Sequence, residues 1–164
     1  MPSSGKLVIA SKSPLTQGYG DGNIGTKAAL ELRKAGFDAL IIYGAASEPT
    51  LLHISDNNVE FISARDLWGL NAYETDRELQ RMFSDDYGFL MIGRAGENLA
   101  KISVVVSERG KAGGRPGMGA VMGSKKLKAI AIKGSRKIPV HNEKQLFRLF
   151  EESSDYIIMN PSYD

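Results

Sequence analysis

The sequence predicts an α+β fold in which mixed and antiparallel β-sheets combine with a few helices. Short aliphatic and β-branched runs recur along the chain, one amphipathic helical pattern separates the first two of them, and glycine-rich turns join several others. With 164 residues, of which 42% are hydrophobic, the chain is about the size of one ordinary domain. It is therefore long enough to bury a core.

The first predicted elements are a strand, a glycine-rich loop and a helix. Residues 6–10 (KLVIA) predict the strand, and the proline and glycines after it predict an irregular loop. Apolar spacing predicts a helix over 24–34, with Asn23 as its N-cap and Gly36 as its stop. DALIIYG, at 38–44, then predicts a buried strand.

A hairpin and a polar helix come next. Residues 50–55 and 59–63 flank the turn DNN, which predicts an antiparallel pair. The pattern over 73–83 predicts a helix. Three further strands are predicted at 88–93, 102–107 and 128–134.

The end of the chain changes character after Pro139. A helical pattern covers 142–155, with its apolar residues on one face. We therefore expect a sheet-based N-terminal domain over 1–138 and the beginning of a helical second domain over 139–164.

Composition excludes several classes of function. Without cysteine, the chain offers no disulfide, no thiolate-bound zinc and no cysteine-ligated iron–sulfur cluster. A net charge of +2 is too small for a general nucleic-acid binder. No apolar run reaches membrane-spanning length and the start does not resemble a secretory signal, so we expect a cytoplasmic protein without membrane contact.

Residues 111–134, KAGGRPGMGAVMGSKKLKAIAIKG, form a basic, glycine-rich loop and the strand that follows it. Walker A requires lysine directly after its second glycine, and here Ser124 lies between Gly123 and Lys125. A dinucleotide fingerprint also fails, because the loop is too long and the next strand does not end in an acid. Two interpretations remain open: a cradle for a phosphate-bearing ligand, or a tight crossing of sheets with solvated lysines.

The loop before the first helix contains DGN, part of a calcium-loop pattern. Leu32 occupies the twelfth position, where such a loop requires a bidentate acid, so an EF-hand is excluded. Asn23 could still meet a cation or an anion, although an N-cap among turn glycines is the favoured interpretation. No combination of residues predicts a catalytic group on this chain.

Three stretches together resemble one family. They are KSPLTQGYGDGNIG with ELRKAGFDALIIYGAA, then ARDLWGLNAYET, and finally MIGRAGENLAKIS with AGGRPGMGAVMGSKKLKAIAIKG. In order and spacing they look like the N-terminal domain of the aldehyde ferredoxin oxidoreductases. The resemblance implies a base domain whose β-sheets carry a tungsten or molybdenum bis-pterin cofactor, with a magnesium ion bridging the two pterin phosphates.

Position by position, the resemblance also implies which residues bind that cofactor. They are Lys6, Asn23, Gly25, Lys111, Ala112, Gly113, Gly114 and Arg115. Among them, Asn23 and Ala112 are implied beside the magnesium ion. Lys6 stands where the family has an arginine, which keeps the charge but loses the planar fork.

The resemblance implies an enzyme that oxidises aldehydes to carboxylic acids and passes electrons through a 4Fe-4S cluster to ferredoxin. Family members are several hundred residues long and begin with further strands, so the resemblance implies that this chain enters its cofactor-binding domain (1–138) part-way and is a fragment that is inactive alone. Its expected partners are the remaining domains or a separately encoded chain, with a homodimer as a further arrangement. The alternative hypothesis is a stand-alone protein that binds a pterin-type or other phosphorylated ligand without catalysis.

Overall fold

A computed structural model describes residues 5–160 of the chain. Its strands are β1 (Lys6–Lys12), β2 (Tyr19–Gly25), β3 (Thr50–Ser55), β4 (Asn58–Ser63), β5 (Gly88–Met91), β6 (Val105–Ser107), β7 (Ala112–Gly113) and β8 (Leu127–Lys133). Its helices are α1 (Lys27–Ala35), α2 (Ala72–Met82), α3 (Arg94–Glu97), α4 (Met118–Ser124) and α5 (Glu143–Ile158), with a 3-10 turn at Glu108–Gly110.

The strands form two sheets. β1 and β2 make a two-stranded antiparallel hairpin, and the other six strands follow the order β4-β3-β8-β5-β6-β7. The pair of β3 and β8 is parallel, whereas the remaining neighbours in the large sheet are antiparallel. The predicted α+β class with mixed sheets is confirmed.

β8 is the centre of the core. Its sequence, LKAIAIK, is buried at every position except the last. Ile130 and Ile132 join one apolar cluster with residues of α1 and β3, while Ala129 and Ala131 join a second cluster with Leu79 of α2. Alternation along one strand thus connects apolar layers on both faces of the sheet.

Helix α1 begins later than its sequence predicts. The predicted N-cap, Asn23, is wrong, because Asn23 lies within β2 and pairs with Val8. Thr26 is the N-cap instead, and its hydroxyl accepts a hydrogen bond from the Ala28 N–H. The predicted stop is confirmed: Gly36 adopts a left-handed conformation, with φ of 98°.

Two other local predictions are wrong. The supposed irregular loop after the first strand is largely sheet, since β1 extends to Lys12 and Tyr19–Gly25 forms the second strand of the hairpin. The supposed buried strand at 38–44 is not a strand, and Ile41 and Tyr43 within it are 74% and 86% exposed. Apolar β-branched residues are insufficient for a strand where no neighbour offers hydrogen bonds.

The terminal helix stands apart from the core. Asn142 caps α5, and none of its residues is buried. The predicted domain boundary near 138 stays a prediction, although an amphipathic helix that buries nothing fits it. No helix among residues 5–160 is long and apolar enough to cross a membrane.

Candidate anion and cofactor site

The β1–β2 hairpin brings three predicted site residues to one face. In its register, Lys6 pairs with Gly25 and Val8 pairs with Asn23. Paired residues, and residues two positions apart along a strand, share a face of a hairpin. Lys6 and Asn23 are both exposed there, and a Cβ added at Gly25 would approach only the Gly5 carbonyl, at 4.0 Å. Gly25 thus leaves its side of the hairpin open.

The glycine-rich loop packs directly against β2. A Cβ on Gly22 would overlap the backbone nitrogen of Gly114. Strand β2 and the glycine-rich loop can therefore approach this closely only with glycine at position 22. The Asn23 carbonyl oxygen lies 3.1 Å from the place of a Cβ on Gly113, the residue after Ala112. The two stretches implied to bind the cofactor therefore lie side by side.

The tip of the hairpin is fastened to the same loop. Ser13 is fully buried, and its hydroxyl donates a hydrogen bond of 2.6 Å to the Pro116 carbonyl. The Ser13 hydroxyl oxygen also accepts hydrogen bonds from the N–H groups of Leu15 and Thr16, each at 3.1 Å. Sequence reasoning missed this link, although a serine before proline is a known turn-forming signal.

The glycines of the loop are explained by close packing. A Cβ on Gly119 would lie 2.5 Å from the Val104 carbonyl, and one on Gly123 would overlap the Gly96 carbonyl. Both glycines lie in helix α4, so close packing of a helix accounts for these positions, and not the tight crossing of sheets that the sequence suggested. Any case for a ligand therefore depends on the polar groups around the loop.

The basic residues of this region fall into two sets. Lys125 and Lys126 donate to the carbonyls of Gly44 and Ser47, and Lys128 is fully buried in an ion pair. In contrast, the side chains of three predicted site residues make no hydrogen bond or ion pair within residues 5–160: Lys6, Lys111 and Arg115. These three exposed cations remain available to an anion.

The Glu108 carboxylate binds the N-terminus of helix α1. Glu108 accepts hydrogen bonds from the Lys27 N–H, at 2.5 Å, and from the Thr26 and Ser107 hydroxyls. Partial burial opposes ionisation of Glu108, but these hydrogen bonds outweigh it and hold the pKa of the carboxyl below its usual value. The end of α1 is therefore occupied by Glu108, and an external anion has no open N-terminus there.

Lys128 bonds to groups outside the glycine-rich loop. Its ammonium, on β8, bonds to Glu97 and to the Leu70 carbonyl at 2.9 Å, and Glu97 also accepts the Gly69 N–H at 2.9 Å. Burial lowers the pKa of Lys128, and the Glu97 carboxylate opposes that shift. The pair joins the turn before α2, helix α3 and the central strand, so its place is structural.

The donor set limits how a metal could bind. Among residues 5–160, no group of three or more His, Asp or Glu side chains could hold a metal ion. Oxygen donors at the predicted positions are the Asn23 carboxamide and the backbone carbonyls of Asn23 and Ala112. Amide and carbonyl oxygens suit magnesium, which usually keeps waters and binds phosphate oxygens as well. These residues therefore fit a magnesium–phosphate group better than a metal held by the protein alone.

Together, the fold and this site define an α+β domain with an exposed basic surface where a hairpin meets a glycine-rich loop. A family model described as "Aldehyde ferredoxin oxidoreductase, N-terminal domain" matches residues 1–134. The chain belongs to that family.

Relatives and a solved structure agree with this assignment. A tungsten-containing aldehyde ferredoxin oxidoreductase of Pyrococcus furiosus is 35% identical over 161 residues, which cover 98% of this chain and 27% of the relative. An aliphatic sulfonate oxidoreductase, WOR-like subunit, of the same organism is 32% identical and covers 88% of this chain and 25% of the relative. The active site complex BamBC of benzoyl coenzyme A reductase superposes with a TM-score of 0.87 and 32% identity over 96% of this chain and 24% of its own.

The chain thus spans about a quarter of the length of the relatives it matches. Their names refer to more than one class of compound, namely aldehydes, aliphatic sulfonates and benzoyl coenzyme A.

Proposed function

We propose that this chain is the cofactor-binding base of a tungsten or molybdenum bis-pterin oxidoreductase. The observation that carries the proposal is the contact between β2 and the glycine loop. Asn23 lies beside Gly113 there, and three exposed cations have no partner among residues 5–160: Lys6, Lys111 and Arg115. Two adjoining backbone segments with cations around them suit a ligand that carries two phosphate groups.

Each residue would then have a limited task. Lys6, Lys111 and Arg115 would neutralise phosphate charge, with Arg115 able to form two parallel hydrogen bonds to one phosphate. The oxygens of Asn23 and Ala112 would face the magnesium ion between the phosphates. When bound, the metal–pterin group supplies the two-electron redox chemistry, while this chain holds and orients it.

The reaction we propose for the whole enzyme is oxidation of an aldehyde to a carboxylic acid, with ferredoxin as the electron acceptor, in the cytoplasm. Support comes from the names of the tungsten-containing relatives at about 35% identity. A 4Fe-4S cluster would depend on other polypeptide, because this chain contains no cysteine. The remaining domains, a separate chain or a second copy would complete the enzyme.

Cofactor content of the enzyme tests the binding site. We expect Asn23→Ala and Arg115→Ala each to reduce bound tungsten and pterin several-fold, because each removes one charged or oxygen contact worth about 1.5–3 kcal/mol. Tungsten is measured by mass spectrometry and pterin by the fluorescence of its oxidised form after release.

Lys12→Ala is the matched control. Lys12 lies at the opposite end of β1 on the same exposed face as Lys6, so its loss changes net charge without touching the proposed site. Unchanged tungsten and pterin in both site variants would refute the assignment, and an equal loss in the Lys12→Ala control would reduce it to a general charge effect.

A further inference from the structure

Ser13, at the tip of the β1–β2 hairpin, has a hydroxyl whose hydrogen-bonding capacity is completely used. A serine hydroxyl offers one donor and two acceptor lone pairs. The Leu15 and Thr16 N–H groups occupy both lone pairs, each at 3.1 Å, so the hydroxyl proton is directed at the Pro116 carbonyl, 2.6 Å away. Because Ser13 is fully buried and fully bonded, it holds the hairpin tip and the glycine-rich loop in one arrangement.

Pro116 belongs to a turn that carries Arg115. The Gly114 carbonyl accepts hydrogen bonds from the N–H groups of Gly117, at 3.1 Å, and of Met118, at 2.9 Å. Gly114 and Gly117 have positive φ values of 81° and 97°, a conformation that favours glycine at both ends of the turn. Arg115 is exposed between them, so the backbone of this turn determines where its guanidinium can reach.

Strand β2 packs on the residue that follows Arg115. A Cβ on Gly20 would lie 3.0 Å from the Cβ of Pro116 and 3.0 Å from the Cβ of Ser13. The missing side chain of Gly20 therefore lets the strand meet the turn where the Ser13 hydrogen bond forms. The Arg115 side chain, in contrast, makes no hydrogen bond or ion pair within residues 5–160. Its backbone is held while its guanidinium stays available.

We propose that Ser13 is a positioning residue for Arg115. Its bond to Pro116 fixes the turn on which the arginine binds a phosphate group, so Ser13 strengthens binding without touching the ligand. A guanidinium on a fixed backbone loses less conformational freedom when it forms two parallel hydrogen bonds to a phosphate. This inference rests on the proposed function, because it requires that Arg115 contacts the cofactor.

The tungsten and pterin that the native enzyme retains test the proposal. Ser13→Ala should lower both about 3- to 10-fold, which corresponds to the net contribution of one hydrogen bond. Ser13→Thr keeps the hydroxyl and should therefore retain most of both. Wild-type content in Ser13→Ala would overturn the proposal, and so would an equal loss in Ser13→Thr.

Dependence on Arg115 distinguishes positioning from general damage to the fold. In an enzyme that already carries Arg115→Ala, adding Ser13→Ala should lower the cofactor content no further. A loss by the same factor with and without Arg115 would contradict the proposal, because Ser13 would then act on the fold alone. If Arg115→Ala alone keeps its cofactor, the proposed site itself is wrong. If Arg115→Ala loses cofactor and Ser13→Ala does not, only this inference is wrong.

Thr75→Val is the matched control. The Thr75 hydroxyl is also fully buried and donates to a backbone carbonyl, that of Asn71, at 2.8 Å. Both residues belong to the start of helix α2 and not to the turn at Arg115. The control should therefore retain wild-type tungsten and pterin. A loss equal to that in Ser13→Ala would overturn the proposal, because any buried hydroxyl would then have the same effect.

Amide exchange in the unaltered enzyme decides the matter if Ser13→Ala does not fold. Linkage requires that a bond which strengthens ligand binding is itself stabilised by the ligand. The Leu15 and Thr16 amides, which bond to the Ser13 hydroxyl, should exchange about 3- to 10-fold more slowly with the cofactor bound than after its removal. The Gln145 amide bonds to the Asn142 side chain at 3.0 Å and should not change. Equal rates at Leu15 and Thr16 in the two states, or an equal change at Gln145, would overturn the proposal.

Discussion

Two stretches of similar composition adopt different structures. Strand β8, LKAIAIK, is the buried centre of the large sheet, whereas residues 38–43, DALIIY, belong to no strand and are largely exposed. Both are aliphatic and both are followed by glycine. The difference lies in their neighbours, because β8 has β3 on one side and β5 on the other, and residues 38–43 have no strand on either side within residues 5–160. Strand formation here depends on pairing more than on propensity.

The largest expected loss of stability comes from removing the partner of the buried lysine on β8. Glu97→Ala would leave the Lys128 ammonium fully buried beside only the Leu70 carbonyl. We expect the free energy of unfolding to fall by about 3–5 kcal/mol, the usual cost of an uncompensated buried charge. Urea denaturation measures it.

Glu60→Ala is the control for that change. Glu60 is an exposed carboxylate on β4 that bonds to His53, so its loss should destabilise the protein much less than Glu97→Ala does. Similar losses of unfolding free energy in the two variants would show that the buried Lys128–Glu97 pair stabilises the protein no more than an exposed pair does.

Matched isoleucines compare the two stretches directly. Ile132 on β8 is fully buried, and Ile41 is 74% exposed. Ile132→Ala should cost about 2–5 kcal/mol through lost burial and a cavity, whereas Ile41→Ala in the isolated chain should stay within about 0.5 kcal/mol. Urea denaturation of both variants is the measurement. A large loss from Ile41→Ala would mean that the segment packs more tightly than its exposure indicates.

These two stretches also show what the sequence could and could not predict. The composition of β8 and the turn glycine after α1 were sufficient for correct predictions, because buried strands and helix stops have local signals. DALIIYG carried the same local signal, but within residues 5–160 no strand lies beside it to pair with. Local patterns do not contain that information.

The candidate site likewise contains residues that the sequence indicated and residues that it did not. Resemblance to the family named Asn23 and the glycine loop, and the structure places them in contact, whereas binding itself stays a prediction. Sequence reasoning assigned Asn23 to a helix cap because glycines around it imitate a turn, and the hairpin pairing that overrides this signal is tertiary. Glu108 gave no signal at all, since it acts on a helix that begins 81 residues earlier.

The smallest expected effect on stability is at helix α1, which precedes residues 38–43. Glu108 holds the N-terminus of α1, and its folded-state pKa is lowered by hydrogen bonds that outweigh partial burial. The unfolded chain has a higher pKa, near 4.3, so the folded state binds fewer protons in that range. The stabilisation is therefore fully present above about pH 4.3 and is lost as pH falls through the lower folded-state value.

Glu108→Gln should remove this dependence. Glutamine keeps the shape but not the charge, so we expect a loss of about 1.5–3 kcal/mol at neutral pH and a smaller difference from the wild type in acid. Urea denaturation between pH 3 and pH 7 measures both proteins. Residues 38–43 make no backbone hydrogen bonds to the described part of the chain, so their exchange should stay fast in both, while amides of α1 should lose protection in the variant. A constant difference between the two proteins across this pH range would show that the Glu108 charge does not hold the helix.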